Sequence, residues 1–180
     1  MSTRNENTEK VSKEKKVRMK TYYLTLSQVF PKDLPNAGKP TGFETAFLAV
    51  QQHRENADKF CTHPKYHTIR ANYEFWRKRF EKIAAGEACL SIRQWVGKPY
   101  AKGSTQREIA RLTREDGIGI QKMTVAGITA WHPIFVNGNS VNTEDLANND
   151  GLDKVDWCNW FAYYDLTKPL AVIHFTKYRY

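Results

Sequence analysis

The residues with the clearest chemical potential lie together in Lys65-Tyr66-His67-Thr68-Ile69-Arg70. Two cations and a hydroxyl fall within one short segment that reads as extended. Side chains alternate along a strand, so Lys65, His67 and Ile69 point one way and Tyr66, Thr68 and Arg70 the other. A bulge before Thr68 would bring Lys65 round to the threonine face. Spacing alone leaves two readings open. One is a strand end with Ile69 as its anchor and two cations whose stems run along apolar surface. The other is a set of groups that carry chemistry.

Other constellations carry less. His63 and His67 are four apart, but Pro64 between them opposes a shared helical face, and no metal site is expected. GIGIQK lacks the spacing of a phosphate-cradling or dinucleotide loop, so no cofactor is expected. Cys61, Cys89 and Cys158 are widely spaced and odd in number, and read as structural thiols rather than a disulfide framework. Arg93, Trp95, Lys98 and Tyr100 interleave cations with aromatics, a pattern that can stack and hold bases or simply line a sheet edge. Trp131-His132 before Pro133 could line a cleft. His174, mid-strand, reads as a core or surface histidine, and Trp157 and Trp160 as core.

These residues need elements to position them. Tyr22 to Phe30 reads as a strand, followed by a Pro- and Gly-punctuated loop. Thr41 with Glu44 reads as a capping box. It opens an amphipathic helix to about Gln52, with Phe43, Phe47 and Val50 inward. Asn72 caps a second helix, Tyr73 to Ala84, stopped at Gly86, with Tyr73, Trp76, Phe80 and Ile83 as its buried stripe. Ala88 to Val96, Arg107 to Thr113 and Ile118 to Ile128 read as strands. A turn is expected at Glu115-Asp116-Gly117, and bulges or bends at Gly119 and Gly127. Trp131 to Asn142 reads as a loop and Thr143 as the start of a short helix. Asp153 caps a further helix, and Leu170 to Tyr178 is the last strand. Strands in the middle with helices on either side give an α+β class, and about five bulged strands suit a small, partly closed β-barrel.

The chain has 28 Lys and Arg against 19 Asp and Glu, for a net charge of +9. The first twenty residues hold seven cations and three glutamates, so nearly half the excess lies there. With few apolar residues, 1–20 reads as a basic, mobile tail that could track phosphates. Residues 21–180 read as one domain. No stretch approaches the about 20 apolar residues that span a bilayer, and the start lacks an apolar leader, so no membrane partner and a cytoplasmic location are expected.

Three features occur in the order found in the ASCH family, a branch of the PUA-like superfamily. KYHTIR matches its K-x-x-T-x-R element. Gly86-Glu87 then enters a strand, ACLSIRQW. Ala147-Asn148-Asn149-Asp150-Gly151 matches the late A-x-x-acidic-G turn before an aromatic-rich helix, DWCNWF, and a final strand, LAVIHF. The chain resembles that family from Tyr22 onward, with insertions around 31–64 and 97–145. The resemblance implies a PUA-like barrel flanked by helices, beside a cleft that takes RNA or a modified nucleoside, with Arg70 among its contacts.

Some small bacterial members hydrolyse N4-acetylcytidine with this Lys, this Thr and a late acidic residue. Carried over, those are Lys65, Thr68 and Asp150, with Asp150 standing where the enzymes carry Glu and Pro64 where many members carry Gly. In that chemistry a lysine desolvated beside another cation could take the threonine proton, and the carboxylate could orient the lysine or protonate the leaving amine. Ribonuclease activity, or an accessory protein-binding role through residues 97–145, are the further alternatives.

Overall fold

The computed structural model describes residues 19–180; all but the last two positions of the expected tail lie outside the described residues. Lys20, assigned to that tail from sequence, instead begins the first strand. Two sheets form, and no closed barrel is present among the described residues. The small sheet holds β1 (Lys20–Thr25), β3 (Ala88–Val96) and β4 (Thr105–Leu112), in the order β1-β3-β4. The large sheet holds β2 (His67–Arg70), β5 (Gly119–Val125), β6 (Ile134–Val136), β7 (Asn139–Val141) and β8 (Leu170–His174), in the order β2-β8-β5-β6-β7. Four α-helices complete an α+β architecture: α1 (Phe43–His53), α2 (Tyr73–Ala84), α3 (Thr143–Asn149) and α4 (Lys154–Phe161). Among the described residues no helix is long and apolar enough to cross a membrane.

β1 and β3 run parallel, Lys20 opposite Ala88 through Thr25 opposite Arg93. A parallel pair needs a long crossover, and here it contains α1, β2 and α2. The crossover therefore delivers the Lys65–Arg70 segment to the seam between the two sheets. α2 follows sequence closely: Asn72 accepts the Phe75 amide at 3.1 Å, and Trp76, Phe80 and Ile83 are buried. Gly86, at φ 76°, makes the left-handed turn that returns the chain into β3. Asp153 likewise caps α4 by accepting the Asp156 amide at 2.8 Å.

Several local expectations are corrected. The first strand ends at Thr25, because the chain turns away and Val29 pairs only in an isolated bridge with Pro40. α1 starts after Gly42, at φ 70°, without a side-chain cap. Glu44 pairs instead with Arg107 on β4. The segment read as a loop over 131–142 contains the β6–β7 hairpin. Asn137 and Gly138 sit at φ 50° and 86°, the two positive values a tight hairpin turn requires. The bulge lies between Ile92 and Arg93; Gly119 stands in β5 without one, and Gly127 lies in a bend just after that strand. Those glycines allow close approach: a Cβ would lie 2.1 Å from the Arg179 guanidinium at Gly119 and 2.4 Å from the His132 ring at Gly127. The last strand ends at His174 rather than Tyr178.

One continuous core joins both sheets and all four helices. Phe47 of α1 is fully buried, edge-on to Phe175 with ring centroids 5.0 Å apart. Phe47→Ala is expected to cost about 3–5 kcal/mol of unfolding free energy, measurable by urea denaturation.

Candidate functional site

Lys65 and Asp150 meet in the interior. Asp150 follows the last turn of α3, its amide donating to Leu146 and Ala147 carbonyls. Lys65, just before β2, forms an isolated antiparallel bridge with it. The Lys65 Nζ donates to Asp150 Oδ1 at 2.8 Å and to the Asp150 carbonyl at 2.5 Å. Its remaining side faces the Phe43 ring, 3.7 Å from the centroid. Asp150 Oδ2 accepts the Trp157 indole N–H at 3.2 Å. Two acceptors and an aromatic face thus meet the ammonium, and both carboxylate oxygens are used. Lys65 is 1% exposed and Asp150 4%. Burial pushes the lysine amine below its ordinary range and the carboxyl above its own, while each partner's charge opposes that shift. Gly151, at φ 82°, would place a Cβ 3.4 Å from Phe43 and 3.5 Å from the Lys65 side chain. A side chain there would strain the backbone and crowd the pair.

Thr68 and Arg70 have other partners. The Arg70 guanidinium donates to Thr68 Oγ1 at 2.9 Å, to the Ile69 carbonyl at 3.0 Å and to the Thr25 carbonyl on β1 at 2.8 Å. β2 pairs with β8 from His67 to Arg70 without a register shift. Within β2 the side chains alternate; Lys65, set off from the strand by a bend at Tyr66, and His67 both approach Asp150 Oδ1, at 2.8 and 3.9 Å, and the Arg70 charge acts on both members of the pair.

Arg70 forms part of a cleft of about 1130 Å³ between β1, the loop after it, the end of β3 and α4. Tyr23, Phe30, Trp76, Trp95, Tyr100, Trp160 and Tyr164 contribute aromatic surface, and Lys32 and Lys98 stand with Arg70 as cations. Trp95 and Tyr100 pack with ring centroids 4.9 Å apart. Arg93 stacks 4.4 Å over the Tyr23 ring from outside. Trp160 packs on Phe43 at 5.6 Å, so the Lys65 amine lies one aromatic ring behind the cleft wall. The structure therefore brings Arg70, Trp95, Lys98 and Tyr100 to one cavity and Lys65 with Asp150 to the interior behind it. Trp131 stands apart, 61% exposed on the loop between β5 and β6, and does not line the cleft. Sequence reasoning missed Trp76 and Trp160 as cleft residues. Their helical stripes read as core, and each is a border residue with one face in the core and one in the cavity.

A second polar cluster backs the pair. His67 Nε2 lies 2.7 Å from the Tyr180 hydroxyl, and Asn149 donates to the Tyr178 and Tyr180 hydroxyls at 3.2 and 3.1 Å. His67 Nδ1 and both His174 nitrogens have no hydrogen-bond partner among the described residues. His63, considered from sequence with His67, instead meets Asn148 Oδ1 at 2.7 Å. Among the described residues no group of three or more His, Cys, Asp or Glu could hold a metal ion. The chain matches no protein-family model, no curated protein and no solved structure.

Two outcomes follow. Lys65→Met is expected to lose about 3–5 kcal/mol by leaving the Asp150 carboxylate buried without its cation, and Lys65→Met with Asp150→Leu to recover most of it, in urea titrations. Burial holds His67 well below its ordinary pKa of 6.5 and lowers His174 to about 3. Both are neutral when folded and gain a proton on unfolding. Their contribution is complete above pH 6.5 and is lost progressively as pH falls below 6.5, for His174 down to about 3. The melting temperature should fall across that window, and His174→Leu should flatten part of the slope.

Proposed function

We propose that this chain is an ASCH-type, PUA-like protein that holds a base of RNA or a modified nucleoside in the aromatic cleft beside Arg70. The observation that carries this reading is the composition of the cleft. Aromatic faces such as Trp95, Tyr100 and Trp160 surround a cavity large enough for a nucleoside, with three cations, Lys32, Arg70 and Lys98, on its lining. Bases stack on such faces whatever their identity, and splayed single-stranded bases are the form of RNA that proteins read this way. Arg70 is held by three oxygen acceptors in a fixed orientation, and a guanidinium so fixed is pre-organised for a carbonyl edge or a phosphate. The order of the K-x-x-T-x-R, Gly-acidic and A-x-x-acidic-G elements in the sequence supports the family assignment.

One feature favours a second reading, hydrolysis of an N4-acylated cytidine by Lys65, Thr68 and Asp150. Burial shifts the Lys65 amine downward, the direction a lysine base requires. In the geometry described, that amine is held by Asp150, and the Thr68 hydroxyl accepts from Arg70. Hydrolysis therefore requires the pair to open before either group can act.

Calorimetric titration of a panel of modified nucleosides, with N4-acetylcytidine among them, tests both readings. Trp95→Ala is expected to weaken nucleoside binding by about 1–3 kcal/mol. A wild-type protein that binds neither nucleosides nor short RNA overturns the binding reading. Absence of acetate release from N4-acetylcytidine removes that hydrolysis.

A further inference from the structure

A second cavity lies on the other side of β1. It is a groove of about 510 Å³ between β1 and α2, with Lys20, Tyr22, Phe75, Lys78, Arg79 and Lys82 in its lining. The charge on α2 is sorted by helical spacing. Phe75, Lys78, Arg79 and Lys82 recur three and four apart and share one face. Arg77 is turned away and clasped by Glu74 and Glu81 on its own helix. That clasp occupies the Glu74 carboxylate, the one acid in the groove lining. Lys20, Lys78, Arg79 and Lys82 make no ion pair among the described residues. By sequence, Lys15, Lys16 and Arg18 lead into Lys20.

Arg79 is the most organised of these cations. Its guanidinium carbon lies 3.8 Å from the Phe75 ring centroid, 4.9 Å from that of Trp76 and 5.1 Å from that of Tyr22. Stacking fixes the guanidinium plane and leaves donors on its edge for a planar or tetrahedral oxyanion. Trp76 also lines the aromatic cleft. The Arg79 guanidinium in the groove therefore packs on an indole that also lines the cleft, and β1 presents Tyr22 to the groove and Tyr23 to the cleft.

We propose that the β1–α2 groove binds the phosphodiester backbone of single-stranded RNA, so that the ligand is an RNA strand running from groove to cleft rather than a free nucleoside. This rests on the reading of the cleft as a base site. Cations without carboxylate partners among the described residues, set in a concave track, match a line of phosphates. The exposed Phe75 ring and the half-buried Tyr22 offer stacking faces to bases adjoining those phosphates. A flat lipid surface has no counterpart to that concavity.

The test is fluorescence anisotropy of labelled oligouridylate against salt concentration, beside titration of free nucleosides. The variants are Lys78→Gln with Lys82→Gln, and Trp95→Ala in the cleft. Lys78 and Lys82 lie on the solvent side of α2, so the double variant should keep the wild-type melting temperature. Wild type should show a linear fall of log affinity with log salt. The double variant should reduce that slope by about 1.4, because two phosphates of a single strand are no longer neutralised, with nucleoside binding unchanged. Trp95→Ala should weaken both ligands and keep the slope. An unchanged slope in the double variant overturns the groove proposal. So does nucleoside binding without oligouridylate binding, which leaves the cleft reading intact. A slope reduced by the lysine substitutions but untouched binding of both ligands by Trp95→Ala sustains the groove and overturns the cleft. Binding to phosphatidylcholine–phosphatidylserine vesicles in preference to oligouridylate assigns the groove to a membrane surface and overturns the proposal.

Discussion

The buried contact between Lys65 and Asp150 is the constraint on which the rest of the structure depends. Desolvating two opposite charges costs several kcal/mol each, and attraction offsets that cost only when the remaining donors and acceptors are also satisfied. Here they are: the ammonium meets a carboxylate, a carbonyl and the Phe43 ring, and the carboxylate also takes the Trp157 indole proton. Four segments converge to make this possible. Phe43 opens α1, Lys65 leads into β2, Asp150 ends α3, and Trp157 sits on α4. An apolar pair could fill the same volume, but it would not specify the same register between the β2 lead and the α3 turn. That register also sets Tyr66 against Asn149, whose carbonyl accepts the Tyr66 amide at 2.8 Å.

Alternation along the same segment divides its labour. Lys65 and His67 turn into the interior, where one completes the ion pair and the other joins the Tyr180–Asn149 cluster. Thr68 and Arg70 turn to the seam between the sheets. Arg70 there bridges Thr68 on β2 to the Thr25 carbonyl on β1, tying the two sheets together at the cleft. A six-residue stretch therefore supplies both the interior lock and the cation at the cavity. The locking pair also supports the cavity wall, because the Phe43 ring meets both the ammonium and Trp160.

Much of this was legible because it rests on short-range chemistry. The 3.6 period of Trp76, Phe80 and Ile83, with Asn72 before them, defines α2, and the run of Ala88 to Val96 defines β3 to the residue. Asp153 could be read as a cap because capping is decided within three residues. The Asn137-Gly138 dipeptide carries an equally local hairpin signal between Phe135-Val136 and Ser140-Val141, but strands of only three residues give it too little alternation to stand out from a loop. Thr41 and Glu44 fitted a capping box by pattern, yet the longer-range pairing of Glu44 with Arg107 took the carboxylate elsewhere.

The amino-acid sequence by itself determined the α+β class, the stripe of α2, and the extended His67–Arg70 stretch with its alternating faces. These follow from backbone propensities, caps and side-chain period, which act over a few residues. Only the tertiary structure decided that Asp150, 85 residues further on, would hold the Lys65 ammonium in the interior through both its carboxylate and its carbonyl. It also decided that the strands would divide into sheets of three and five, and that Trp76 and Trp160 would each give one face to a cavity. Those outcomes depend on which distant surfaces exclude water together, and no local window of sequence contains that information.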